Sequence, residues 1–248
     1  TFFDGQEIEA FGLGCFGPID LNLNSETYGF ITTTPKPGWN NFNIVGAIKE
    51  RYSVPVGFDT DVNGAALGES QLGSSNGLDN VLYLTIGTGI GGGAVVEGKL
   101  VHGMLHPEMG HFYLQKREDD HYQGNCPYHK SCLEGLASGV AIEKRWGIKA
   151  SELPKDHPAW DLEAYYLAQA IVTYITVLSP EKIILGGGVM HQTQLFPLIH
   201  HHVLTLLNGY IQTKQLTPET IQDYIVAPSL NDDSGLKGAL MLGKQARY

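Results

Sequence analysis

The chain has 248 residues, a formal net charge of −10 at pH 7 and three cysteines. This length can bury a large core, either as one big domain or as two lobes. The acidic balance, without any Lys/Arg run, argues against nucleic acid or an anionic membrane as the main partner. No apolar stretch approaches the length of a membrane span, and the first residues lack a signal-peptide pattern. The scarce cysteines favour a reducing cytoplasm and metal binding over disulfides.

Strands alternate with helices along the chain, which predicts an α/β fold. Asp59 or Thr60 could cap the helix predicted over 60–68. Pro180 ends the long amphipathic helix predicted over 161–178. The predicted elements in chain order are strand 8–13, helix 42–52, strand 54–58, helix 60–68, strand 80–86, a hairpin of 93–96 and 99–101, helices 133–146 and 161–178, strand 182–185, helix 197–210, strand 224–227 and helix 235–246.

A Cys/His cluster is the most informative motif of the sequence. Two thiolates and two imidazoles have the types and number of donors that a closed, structural tetrahedral zinc site uses. The alternative is a histidine-rich surface loop, since the chain has ten histidines. His106 and His121 could also compete for the place of the first histidine. The predicted ligands are His111, Cys126, His129 and Cys132.

Two glycine-rich turns follow buried strands. In residues 85–93, backbone N–H groups and threonine hydroxyls could approach phosphate oxygens, although a tight hairpin explains the glycines equally well. Residues 186–190 precede a helix and suit an anion or a nucleotide, or simply close strand–helix packing. Neither turn has the Walker ending or the dinucleotide pattern.

Acidic residues stand at the end of the buried strand 54–58, where α/β folds place ligand chemistry. Helix capping accounts for Asp59 or Thr60 and leaves Asp61 available to accept a hydroxyl proton. The loops 14–20 and 32–39 add polar groups and aromatic rings of the kind that a polyhydroxyl ligand needs, or are ordinary Pro/Gly turns.

Taken together, these segments resemble the ROK family of sugar kinases, most closely its bacterial fructokinase branch. The CPYH form of the cysteine loop is typical of that branch, and the other motifs are shared more widely. The resembling segments are GCFGPID at 14–20, TPKPGW at 34–39, TDVNGAALGE at 60–69, TIGTGIGGG at 85–93, HPEMGH at 106–111, CPYHKSCLEGLASG at 126–139 and LGGGVM at 185–190.

The resemblance implies an actin/hexokinase-like (ribonuclease H-like) α/β fold of two lobes, with ATP and sugar in the cleft. The small lobe would be residues 1–78, completed by the C-terminal helix 234–248, and the large lobe would be 79–233. The implied reaction transfers the γ-phosphoryl group of ATP, with Mg²⁺, to the 6-hydroxyl of D-fructose. A cytoplasmic homodimer with structural Zn²⁺ is expected.

Individual roles follow from the same resemblance. Asp61 matches the catalytic base, and His111 matches both a zinc ligand and a sugar contact. The positions that match the sugar site are Gly17, Pro18, Thr34, Lys36, Asn63, Glu108, His111 and Glu134. The positions that match the nucleotide site are Thr88, Gly89, Gly139, Val140, Gly187, Gly188, Val189 and Met190.

Two departures from the family pattern qualify these expectations. The family's first strands, which carry a Gly-Gly-Thr-Lys phosphate loop, are not in the sequence, so we expect exposed apolar surface in the small lobe. Val140 stands where the family usually has proline. The alternatives are a catalytically silent sugar-binding relative and, with less support, a sugar-responsive repressor. The sequence does not rank fructose, mannose and glucose.

Overall fold

Three sheets form the frame of the protein in the computed structural model, which describes residues 5–34 and 36–248. Residues 1–4 and Pro35, which the predicted small lobe and the 34–39 motif include, lie outside the described residues. The strands are β1 (Phe11–Cys15), β2 (Phe30–Ile31), β3 (Phe42–Asn43), β4 (Val56–Thr60), β5 (Val81–Ile86), β6 (Ile90–Val96), β7 (Lys99–Leu100), β8 (Lys182–Gly186) and β9 (Ile225–Val226).

The largest sheet has the order β7-β6-β5-β8-β9. Its strands β5, β8 and β9 are parallel, and β6 is antiparallel to β5. Strand β7 is antiparallel to β6, with which it forms the predicted hairpin. A second sheet pairs β1 with β4 in parallel, and β2 pairs with β3. Parallel strands need crossover helices, so this topology confirms the predicted alternation of strands and helices.

The helices are α1 (Ile44–Arg51), α2 (Asp61–Leu72), α3 (Leu133–Ala137), α4 (Gly139–Trp146), α5 (Ala159–Leu178), α6 (Leu195–Leu207), α7 (Ile221–Tyr224) and α8 (Ser234–Gln245). Across the described part of the chain, none of these helices is both long enough and apolar enough to cross a membrane.

The main core lies between the large sheet and α5 with α6. Trp160, Tyr166 and Ile171 of α5 are at most 1% exposed and pack in one cluster with Leu84 of β5. Burying each such side chain contributes about 1.5–3 kcal/mol. A smaller cluster under β1 and β4 includes Ile19, Ile31 and Phe58. The large sheet and this smaller cluster together position the ends of β4, β5 and β8, which carry the polar motifs.

The C-terminal helix α8 packs directly on β1, β4 and α2. A Cβ at Gly12 would overlap the carbonyl of Ala239, and one at Gly238 would overlap Gly64, so glycine is required for this close approach. The carboxylate of Glu69, which is fully buried, accepts a hydrogen bond from the Ser234 hydroxyl at 2.8 Å. The end of the chain is therefore tied to the segment that carries the predicted base.

The prediction of a single helix over 133–146 is wrong. The helix is interrupted at Ser138, which has extended backbone angles (φ −74°, ψ 161°). The Ser138 hydroxyl caps α4 by accepting a hydrogen bond from the N–H of Ala141. The N–H of Gly139 donates to the carbonyl of Gly87 at 2.7 Å, so a contact with the glycine turn outweighs helix continuity. The predicted helix 42–52 likewise begins two residues later, because Asn43 caps it.

Candidate active site and metal centre

Asp61 lies where β4 ends and α2 begins. Thr60 is the N-cap, with its hydroxyl accepting the N–H of Asn63 at 3.1 Å. The Asp61 carboxylate accepts the N–H of Val62 at 2.9 Å, at the positive end of the helix dipole. The residue is open to solvent, yet enough protein surrounds it that desolvation raises its pKa, against the lowering effects of this hydrogen bond and of Lys36. Such a carboxylate is suited to accept a proton.

Asp59, two residues earlier, is only 3% exposed and is fully paired. Its Oδ1 accepts the N–H of Thr60 at 2.7 Å and the side-chain amide of Asn63 at 2.8 Å. Its Oδ2 lies 2.7 Å from Nε2 of His102, and this hydrogen bond raises the pKa of His102. Asn63 is 1% exposed, and its amide nitrogen holds this turn together through the bond to Asp59. Asp61 is thus the carboxylate left open at this strand end.

The loop 16–18 and the Thr34/Lys36 loop meet beside Asp61. Nζ of Lys36 lies 3.5 Å from the ring centroid of Phe16, and this ring makes an edge contact with Trp39 at 5.8 Å. The backbone N–H of Lys36 donates to the Thr34 hydroxyl at 3.3 Å. These contacts give one wall of the site an aromatic face and a cation, with Lys36 and Trp39 both exposed.

His106 lies in this site and not in the Cys/His cluster. Its Nε2 accepts the backbone N–H of Ile19 at 3.1 Å, and its Nδ1 lies 3.6 Å from Oε1 of Glu108. Gly17 lies against both side chains, since a Cβ there would be 2.8 Å from the His106 ring. From the sequence alone, His106 is predicted only as a competing metal ligand. Its position two residues before Glu108 was the signal that could have linked it to the site.

The predicted metal ligands converge. Nδ1 of His111 lies 3.8 Å from Sγ of Cys126 and 3.7 Å from Sγ of Cys132, and Nδ1 of His129 lies 3.7 Å from Sγ of Cys126. All four donor atoms lie within 4.8 Å of one another. Tetrahedral zinc with ordinary bond lengths needs N···S separations of about 3.6 Å. Burial raises the pKa of the Cys132 thiol to about 11, so an incoming ion would displace its proton.

Glu134, the second residue of α3, connects this cluster to the glycine turn. Its Oε2 accepts the N–H of Ile90 at 3.0 Å, and its Oε1 lies 3.9 Å from Nε2 of His111. Its backbone N–H donates to the carbonyl of Gly110 at 2.8 Å. The turn approaches closely, since a Cβ at Gly89 would lie 2.5 Å from Oε2 of Glu134. His111, Glu134 and the turn therefore form one continuous polar surface.

Three segments meet at the carboxyl ends of β5 and β8. Thr88 is exposed at the tip of the first turn, and the start of α4 with Gly139 and Val140 lies against that turn. Gly187 has φ +90°, and a Cβ there would lie 2.5 Å from the carbonyl oxygen of Ile86. Gly188 is exposed.

The last two predicted nucleotide positions are buried, unlike the exposed Thr88 and Gly188. Val189 and Met190 are 3% and 4% exposed, and their side chains belong to the main core. A ligand in this place could therefore contact only their backbone. The γ-methyl of Val189 lies near Gly139, because a Cβ at Gly139 would be 3.4 Å from it. The buried pair thus fixes the 186–190 turn against the start of α4.

The ROK family model matches residues 4–246. A protein of Bacillus subtilis (strain 168), provisionally named a fructokinase, is 52% identical over 99% of this chain and 82% of its own length. The fructokinase of Pediococcus pentosaceus is 43% identical over 99% of this chain and 83% of its own length.

The fold is also that of solved ROK structures. The ROK hexokinase from Thermus thermophilus has a TM-score of 0.78 at 27% identity and covers 96% of this chain and 79% of its own. A glucokinase from Streptomyces griseus, solved with glucose and AMPPNP, has a TM-score of 0.75 at 23% identity and supports the fold alone. These likenesses confirm the predicted actin-like α/β fold, and the chain belongs to the ROK family.

Proposed function

We propose that this protein is an ATP-dependent fructokinase that transfers the γ-phosphoryl group of ATP to the 6-hydroxyl of D-fructose. The observation that carries the proposal is the open carboxylate of Asp61 at the junction of β4 and α2, beside the fully paired Asp59. Relatives named fructokinases, 43% and 52% identical over nearly the whole chain, support fructose as the sugar.

Asp61 would act as the base. Phosphoryl transfer depends on positioning, charge neutralisation and a group that orients the attacking oxygen. A carboxylate whose pKa is raised by desolvation is a better proton acceptor than a fully solvated one. The 6-hydroxyl would donate its proton to Asp61 as its oxygen attacks the γ-phosphorus, while the bond from that phosphorus to the β–γ bridging oxygen breaks and ADP leaves.

The sugar would lie between the two walls described above. Carboxylates and an imidazole supply acceptors and donors for hydroxyl groups, and a cation and aromatic ring supply the opposite face. Asn63 would support the turn from behind. The residues proposed to contact sugar are Gly17, Pro18, Thr34, Lys36, Glu108, His111 and Glu134.

The nucleotide would lie over the ends of β5 and β8, where exposed backbone N–H groups could face phosphate oxygens. Mg²⁺ bound to ATP would partly neutralise the negative charge of the transferred phosphoryl group. This chain contributes the turns that hold the nucleotide. They comprise Thr88, Gly89, Gly139, Val140 and residues 187–190.

Zn²⁺ fits the Cys/His cluster by donor type and spacing, and would be held by His111, Cys126, His129 and Cys132. Four protein ligands leave no open position, so the ion would be structural. It would stiffen the segment between Glu108 and Glu134. The lobe boundary at residue 78, the closure of the small lobe by 234–248 and a homodimer remain predictions.

The test is a coupled assay of ADP release with ATP, Mg²⁺ and each of fructose, mannose and glucose, accompanied by calorimetric titration of the same sugars. We expect turnover with the highest kcat/KM for fructose. Sugar binding without ADP release would instead favour the silent sugar-binding alternative. A higher kcat/KM for mannose or glucose would overturn fructose as the substrate.

A further inference from the structure

The buried ring of His106 has a defined hydrogen-bonding pattern that the proposed chemistry does not use. The residue is 5% exposed, although neighbouring Met104 and Leu105 are 94% and 50% exposed. A polar ring is buried in such a segment only when its nitrogens find partners. One partner, the backbone of Ile19, is 87 positions away in the chain, and the other, Glu108, is two residues further along.

The contact with Ile19 fixes the tautomer of the ring. A backbone N–H can only donate, so Nε2 of His106, 3.1 Å from the Ile19 nitrogen, must be the acceptor. The proton of the ring therefore resides on Nδ1. That Nδ1–H lies on the side of Glu108, 3.6 Å from Oε1. This separation is slightly longer than a hydrogen bond, and a small rotation of the carboxylate would close it.

Glu108 needs such a partner because its side chain is 47% exposed. A half-exposed glutamate samples several rotamers, and ordering it on ligand binding costs conformational entropy. Gly17 approaches the same group, since a Cβ there would lie 3.3 Å from Oε1 of Glu108. The backbone of the 16–18 loop, the ring and the carboxylate thus meet at one point.

We propose that His106 is a positioning residue, whose Nδ1–H orients the Glu108 carboxylate toward the sugar while the backbone of Ile19 holds the ring. The inference rests on the proposed function, because it takes Glu108 as a sugar contact. It adds a second way in which the loop 16–19 acts on the sugar. Besides the proposed direct contacts of Gly17 and Pro18, the backbone of Ile19 would hold the ring that orients Glu108. An aliphatic residue at position 106 would leave the carboxylate unordered and the Ile19 N–H unpaired.

Two isosteres separate the two nitrogens of the ring. The amide of asparagine occupies the place of Nδ1, and the amide of glutamine reaches the place of Nε2. His106→Gln keeps an acceptor for Ile19 and loses the donor toward Glu108, whereas His106→Asn does the reverse. His121→Gln, at an exposed histidine outside the site, is the matched control.

We expect His106→Gln to raise the fructose KM about tenfold, which is one decade of affinity, with a melting temperature close to the wild type. His106→Asn should recover most of that loss in KM while melting at a lower temperature, because the Ile19 N–H is left unpaired. The KM for ATP should not change in either variant. A fructose KM that follows melting temperature across the two variants would reduce His106 to a structural role and overturn the inference.

A double-mutant cycle with Glu108→Gln tests the coupling directly. In the His106→Gln background, Glu108→Gln should add little to the rise in KM, since the carboxylate is already unordered. Additive effects would contradict the inference. Glu108→Gln with a normal fructose KM would also overturn it, but fructose turnover by the wild type would still support the kinase function.

Discussion

The two walls of the candidate site are built differently. The wall that carries His111 and Glu134 is braced by the buried sulfurs of the Cys/His cluster and by a hydroxyl of α5, since Tyr174 donates to the carbonyl of Met109. The opposite wall, formed by half-buried Phe16 with exposed Lys36 and Trp39, is held by ring and cation contacts. One wall has buried support and the other is held by surface contacts. We therefore expect some mutations to change mainly the free energy of unfolding and others to change mainly the affinity for the sugar.

The largest effect should come from the braced wall. Cys132 is fully buried, and Cys132→Ser removes a soft thiolate ligand, so the variant should lose its metal. We expect the free energy of unfolding to fall by at least ~2 kcal/mol, with weaker fructose binding. Metal analysis by atomic spectroscopy and urea unfolding measure both changes. Cys15→Ser, at a buried cysteine outside the cluster, should keep its full metal content. A folded, metal-free Cys132→Ser protein with normal sugar affinity would contradict the bracing role.

Glu134→Gln should have the next largest effect and should act on affinity. Glutamine retains an oxygen that can accept the Ile90 N–H, so the unfolding free energy should stay within about 1 kcal/mol of the wild type. The lost charge should raise the fructose KM about tenfold, since a hydrogen bond to a charged acceptor is the stronger kind. Steady-state kinetics at saturating ATP gives the result. A change confined to the ATP KM would place Glu134 on the nucleotide side.

Lys36→Met tests the adaptable wall. Methionine can still pack on the Phe16 ring, so stability should not change, but Asp61 loses a charge that lowers its pKa. The acid limb of the profile of kcat/KM against pH should therefore move to higher pH. Because Lys36 is exposed, the part of the loss in kcat/KM that comes from its charge acting on Asp61 should be only ~2–3-fold near neutral pH. If the acid limb does not move at low ionic strength, the charge of Lys36 does not affect the pKa of Asp61.

The smallest effect concerns the pair of His102 and Asp59 behind the site. The folded protein raises the pKa of His102 above its ordinary value of 6.5. The stabilisation is therefore complete below pH 6.5 and is lost as the pH rises through the raised pKa. Since the side chain is 42% exposed, the loss should be below about 1 kcal/mol. Unfolding free energies measured from pH 5.5 to 8.5 should show this decrease in the wild type and not in His102→Asn. Equal slopes in both proteins would assign the pH dependence elsewhere.

Local patterns were predictable from the sequence, whereas distant contacts were not. The cysteine loop is predictable as a candidate metal site because three of its proposed ligands lie within seven residues, and Asp61 is predictable as a candidate base because it follows a buried strand. His106 was misplaced because its partner Ile19 is 87 positions away. The break at Ser138 was missed for the same reason, since the carbonyl of Gly87 supplies the contact that competes with a continuous helix. Tertiary contacts decide such positions over local preference.

The most direct test of the account compares Asp61→Asn with the wild type in fructose-dependent ADP release and in calorimetric fructose binding. The account predicts that kcat falls by about 10²–10⁴, while the Kd for fructose changes little and the metal content stays the same. A variant that binds fructose and turns it over at a near-normal rate would contradict the assignment of Asp61 as the base, and with it the proposed mechanism.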